Sequence, residues 1–124
     1  MIGTDTYEYT NMVRVTNYIQ GTIGLPLILS IKKSGNIKWY IDAAFGLHKD
    51  MRSHTCGFMT MGTGGECVNY SKQNLETKSS NEADLVGVDN ALNQVIWTLY
   101  FLKEQGYNIY NDIIYQDNQR SIKI

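Results

Sequence analysis

The sequence predicts an α/β domain, a mixed sheet with one long helix crossing it, and three observations carry that prediction. Ser79 to Gly106 reads as a single capped helix, long enough to lie across a sheet. Ile37-Lys38-Trp39-Tyr40-Ile41-Asp42 alternates apolar and polar side chains, the two-residue period of a strand covered on one face. Gly62-Thr63-Gly64-Gly65 separates two strand-like runs, the pattern of an antiparallel hairpin. A hairpin meander followed by a helical crossover to a further strand gives a sheet with both antiparallel and parallel pairs.

The chain of 124 residues is sized for one domain with a real core. Its 43% hydrophobic and 19% charged composition excludes a disordered polyelectrolyte. With a net charge of −1 no overall field draws it to nucleic acid, so any polyanion must be held by local lysines, arginines or a metal. No signal peptide is evident. The most apolar run is interrupted by Asn90, Asn93 and Gln94, which makes it a core helix and not a membrane span.

In chain order, Tyr7 to Gln20 sets Met12, Val15 and Ile19 on one helical face and ends at Gly21. Leu25 to Ile31 carries the only proline, Pro26, at the start of an apolar run and reads as an edge strand. Ser34-Gly35-Asn36 is a turn into the Ile37–Asp42 strand, and a polar loop with Gly46 runs from Ala44 to Ser53. The hairpin then takes Thr55–Met61 and Glu66–Ser71, with Met61 facing Glu66, Cys56 facing Ser71 and Cys67 facing Thr60. That register sets the two thiols roughly 13 Å apart along the ladder, beyond disulfide reach, and free thiols fit a reducing compartment. In the long helix, Ser79 and Glu82 have capping-box spacing. Leu85, Val88, Leu92, Val95 with Ile96, Leu99 and Leu102 form the predicted buried stripe. Ile113 to Gln116 is a last short strand, ending at Asp117-Asn118.

Three carboxylates attract attention within this frame. Asp42 ends the first long strand, Asp84 lies in the first turn of the crossover helix, and Asp117 ends the last strand. If the two strands are neighbours, all three converge. Clustered carboxylates repel unless a cation sits among them. An all-oxygen set favours Mg²⁺ or Mn²⁺ over zinc. The plain alternative is that aspartates at strand ends are caps and turns.

Five segments then show a family resemblance. Val13 to Thr22 is similar to "RVLRYLKGT", and Tyr40-Ile41-Asp42-Ala43-Ala44-Phe45 to "YSDADW" or "YVDAAF". Asp50 to Phe58 is similar to "D-x-R-S-x-T-G-G-F", and Ser71-Lys72-Gln73 with Ser79 to Leu85 to "SKKQ…SSTEAEY". Tyr115 to Ile122 is similar to "YCDNQSAI". In order and at family spacing, these resemble the ribonuclease H domain of the Pol polyprotein of copia-type LTR retrotransposons. The resemblance implies a ribonuclease H-like fold over residues 23–124, preceded over residues 1–22 by the helix that links the polymerase to this domain. It implies a domain incomplete at its C-terminus, with the family's C-terminal helices and the fourth acidic residue they carry missing. It implies two-metal hydrolysis of the RNA strand of an RNA–DNA hybrid, with Mg²⁺ or Mn²⁺ held by Asp42, Asp84 and Asp117. It places Arg52, Ser71, Lys72, Gln73 and Asn118 near the nucleic acid. An intact relative would work beside the rest of the Pol polyprotein, in the cytoplasm within a virus-like particle, and not at a membrane.

This chain departs from the family pattern in several places. Asp84 stands where the family has Glu, one methylene shorter, which leaves an oxygen about 1 Å short for a cation that tolerates little misplacement. Cys56 replaces the usual Gly, and Arg120-Ser121 replaces Ser-Ala. The alternatives to a nuclease are therefore a non-catalytic hybrid- or RNA-binding module and an inactive relic with the same fold. Other residues read blandly. His48 and His54 lack a spaced ligand partner, the remaining lysines read as solvated surface, Trp39 and Trp97 read as core, and the nine tyrosines are scattered. Gly62 to Gly65 joins two strands and is no phosphate loop.

Overall fold

The computed structural model describes residues 6–33 and 35–117, and at 67 and 68 the backbone alone. In chain order the elements are α1 (Thr6–Thr22), β1 (Ser30–Ile31), β2 (Asn36–Ala44), β3 (His54–Thr60), β4 (Gly62–Thr63), β5 (Cys67–Lys72), α2 (Ser80–Glu104) and β6 (Asn111–Tyr115). A four-stranded sheet runs in the order β5-β3-β2-β6, and β1 with β4 makes a separate two-stranded ladder. β2 pairs antiparallel with β3 and parallel with β6, so the sheet is mixed and α2 is the crossover. The class predicted from sequence, mixed α/β with a long crossover helix, is the one observed. No helix among the described residues is long and apolar enough to cross a membrane.

The alternation of β2 sorts its side chains between the two faces of the sheet. Ile37, Trp39 and Ile41 are almost wholly buried and pack with Met59 of β3 and with Ala91 and Val95 of α2. Each such side chain contributes about 1.5–3 kcal/mol by leaving water. Trp39 also donates Nε1–H to Asp112 Oδ1 at 2.9 Å, and burial holds that carboxyl above its ordinary value.

The start of α2 follows the sequence closely. Ser79 Oγ accepts the Glu82 N–H at 3.2 Å, while Glu82 Oε2 accepts the N–H of Lys78, one residue before the cap, at 2.7 Å. Gly106, at φ +86°, closes the other end as Tyr107 N–H reaches back to Leu102 O.

The buried stripe of α2 shares only Val95 with the predicted one. Ala83, Asp84, Gly87, Ala91, Val95 and Thr98 are buried, whereas Leu85, Leu92 and Ile96 are exposed and Val88 and Leu102 only partly covered. The reason is close approach. A Cβ on Gly87 would stand 3.5 Å from Thr55 and 3.6 Å from Ala43, so small residues face the sheet and large ones turn to the flank. Trp97, expected in the core, is exposed and stacks on Phe101.

Three other expectations are corrected. The hairpin register is one residue off, with Cys56 facing Tyr70 and Cys67 facing Met59. Gly62 and Thr63 pair with Ile31 and Ser30 instead of forming a tight turn, and a Cβ at Gly62 would collide with the Ser30 carbonyl. The edge strand predicted from Leu25 shrinks to Ser30–Ile31, because β4 offers only two residues to pair with. α1 forms as expected but buries none of its residues.

Candidate functional site

The face of the sheet away from α2 carries the site. Lys38, Tyr40 and Asp42 point to it from β2, and the pairing Tyr40↔Tyr115 sets β6 alongside. That parallel register, carried two residues past its last pair, brings Asp117 beside Asp42. Both line a groove of about 500 Å³ with Tyr40, Cys56, Phe58, Tyr115 and Gln116. Asp42 Oδ1 accepts the N–H of Ala43 at 2.8 Å, which fixes its rotamer at the groove rim. Gln116 Oε1 accepts the Asp117 N–H at 3.0 Å. Its Nε2 is buried with no hydrogen-bond partner among the described residues.

Asp84 is placed differently. It is 5% exposed at the fifth residue of α2, the helix that covers the opposite face over Ala43 and Thr55, and it does not line the groove. The structure thus brings Asp42 and Asp117 together and leaves Asp84 apart. Among the described residues no group of three His, Cys, Asp or Glu side chains could hold a metal ion. The two groove carboxylates have the right chemistry for a hard cation. Asp42 and Asp117 are the residues that would hold it, with no third ligand beside them among the described residues.

The predicted nucleic-acid contacts divide by face. Lys72 lies opposite His54, which lies opposite Ala44, in a row on the groove side of the sheet. Its Nζ is 2.7 Å from Asp50 Oδ2, and Arg52 Nε is 3.6 Å from the same oxygen. The Lys72 ammonium, hydrogen-bonded to Asp50, holds that carboxyl below its ordinary value. Arg52 and Lys72 are therefore two exposed cations bound to one exposed anion, a cluster that phosphates could enter by exchange. Ser71 faces the other way, opposite Thr55. Gln73 is corrected outright. It is fully buried, and its Nε2 donates to Thr55 Oγ1 at 3.0 Å and to the Ala83 carbonyl at 2.8 Å, so it latches the end of β5 to β3 and α2 and cannot reach an external strand. Asn118 lies outside the described residues.

Two features escaped sequence reasoning. The tyrosines are not all scattered. Tyr40 and Tyr115 stack at 4.9 Å and 14°, and Phe58 leans on Tyr40 at 6.2 Å, which makes an aromatic row across the groove floor. Strand alternation could have placed Tyr40 and Phe58 on one face, but the partnership with Tyr115 needs the parallel register. The second feature is a histidine pair. His48 Nε2 and His54 Nδ1 are 2.8 Å apart, with His54 against Tyr70. Burial pushes the His54 imidazole below its ordinary value, and the charges of His48 and Lys72 act the same way.

No protein-family model matches the chain, and no solved structure matches it.

Proposed function

We propose that this chain is a ribonuclease H-like domain of a copia-type retrotransposon Pol polyprotein. Its ligand is an RNA–DNA hybrid, and hydrolysis is impaired relative to family members with Glu at the position of Asp84. One observation carries the reading: Asp42 and Asp117, named by two separate motifs 75 residues apart, share one groove on neighbouring parallel strands. A mixed sheet crossed by a capped helix is what the resemblance calls for, and the groove supplies the rest of a nucleic-acid contact. Tyr40, Phe58 and Tyr115 offer π-faces and apolar wall, and Lys72 with Arg52 offers phosphate partners at the rim. The impairment follows from Asp84, both short by a methylene and buried on the far side of the sheet.

The test is cleavage of a labelled RNA–DNA hybrid in Mg²⁺ or Mn²⁺, run beside Asp42→Asn and beside a binding titration at two salt concentrations. Hybrid binding that weakens with salt, with slow cleavage abolished in Asp42→Asn, supports the nuclease reading. Salt-sensitive binding with no cleavage points to the non-catalytic hybrid-binding module. A cooperatively folded chain that neither binds nor cleaves the hybrid overturns the proposal and leaves an inactive relic of the fold.

A further inference from the structure

One side of α2 is left over once the sheet is covered. At 100° per residue, Leu85, Asp89, Leu92, Ile96, Tyr100 and Lys103 fall on a single stripe roughly opposite the seam of Ala83, Gly87 and Ala91. Leu92 is 37%, Ile96 47% and Tyr100 64% exposed. A row of large apolar side chains along a 25-residue helix is more than scattered surface hydrophobicity.

The charges on the stripe say what covers it. Asp89 stands seven residues before Ile96, and Lys103 seven residues after it. The two are roughly 21 Å apart along one helix, too far to meet each other. Among the described residues neither makes an ion pair, though Lys103 does draw on Asp112 at longer range.

We propose that α2 packs antiparallel against α2 of a second copy of this chain, about a two-fold axis at Ile96. That operation sets Asp89 of each copy opposite Lys103 of the other, so the stripe is complementary to itself, as an isologous interface requires. It also seats Leu92 of each copy against Tyr100 of the other and Ile96 against Ile96 at the centre. A parallel arrangement would bring Asp89 onto Asp89 and Lys103 onto Lys103, a like-charge contact that disfavours it. The groove on the opposite face of the sheet stays open in each copy, so the pairing is independent of the proposed nuclease reading.

Sedimentation equilibrium of the full chain tests it. The expected result is a mass twice the 14.1 kDa of one chain, falling to that of one chain in Ile96→Glu, which keeps the folded circular dichroism spectrum and a cooperative melt at a lower temperature. Asp89→Lys and Lys103→Asp should each weaken association by roughly two- to five-fold, as partly exposed ion pairs do, and the double reversal should restore it. The proposal is overturned by a single-chain mass throughout the concentration range. It is equally overturned by association that ignores Ile96→Glu, by a double reversal weaker than either single one, or by association lost to Tyr40→Lys on the sheet's other face.

Discussion

The two faces of the sheet are built from the same strands and behave oppositely. Under α2, Ile37, Trp39 and Ile41 are sealed against Met59, Ala91 and Val95. On the far side the intervening residues Tyr40 and Asp42, with Phe58 and Tyr115, are open to solvent around a groove. Every odd-numbered residue from Ile37 to Ile41 serves stability and every even one is available for binding, because a strand's side chains alternate with a period of two. Stability and candidate chemistry are thus separated by one residue in sequence and by the thickness of the sheet in space. Substitutions on one face should leave the other nearly untouched.

The largest expected effect belongs to the sealed face. Trp39→Ala removes the largest buried side chain and the partner of Asp112, and should cost about 3–5 kcal/mol in urea unfolding. Gln73→Ala should cost about 1–3 kcal/mol, since the Ala83 carbonyl and Thr55 hydroxyl lose a buried donor. That is the outcome if Gln73 is a latch. Unchanged stability with weakened hybrid binding would return it to the nucleic-acid face. Gly87→Ala runs the other way. Its new Cβ finds only ordinary contacts at 3.5 Å and beyond, so the gain in helix propensity should stabilise the chain by about 0.5–1 kcal/mol. If it destabilises instead, the helix lies closer to the sheet than described. On the open face, Tyr40→Ser should shift stability by no more than about 0.5 kcal/mol while reducing hybrid affinity, and the reverse pattern would erase the contrast between the faces.

The smallest effect concerns pH. The folded-state pKa of His54 lies below its ordinary value of 6.5, so the unfolded chain takes up the proton first as pH falls. Its contribution to stability is full above about pH 6.5 and is lost as pH drops below it. Thermal melts between pH 5 and 8 should show this as a slope that flattens in His54→Gln. An equal slope in the variant would mean that the fold does not hold His54 in its neutral form.

Much of this was legible in residue order. The capping box at Ser79, the stop at Gly106, the alternation of β2 and the mixed α/β class all rest on interactions within a few residues, which a sequence displays directly. Asp42 and Asp117 are nominated from two separate segments, and it is strand pairing that sets them in one groove. What the sequence could not set were quantities fixed by neighbours distant along the chain. The face of α2 that is buried depends on how near the helix lies to Ala43 and Thr55, and at that distance Gly87 and Ala91 outrank Leu85 and Leu92. The hairpin register depends on β1 drawing Gly62 and Thr63 aside. Tyr115 joins Tyr40, and Asp117 joins Asp42, only because β6 adds in parallel at one register, while Asp84 is carried to the other face by the same helix whose cap announced it. Local pattern determined the elements and the candidate residues. Approach distance and strand register, which are tertiary quantities, decided which of those residues meet.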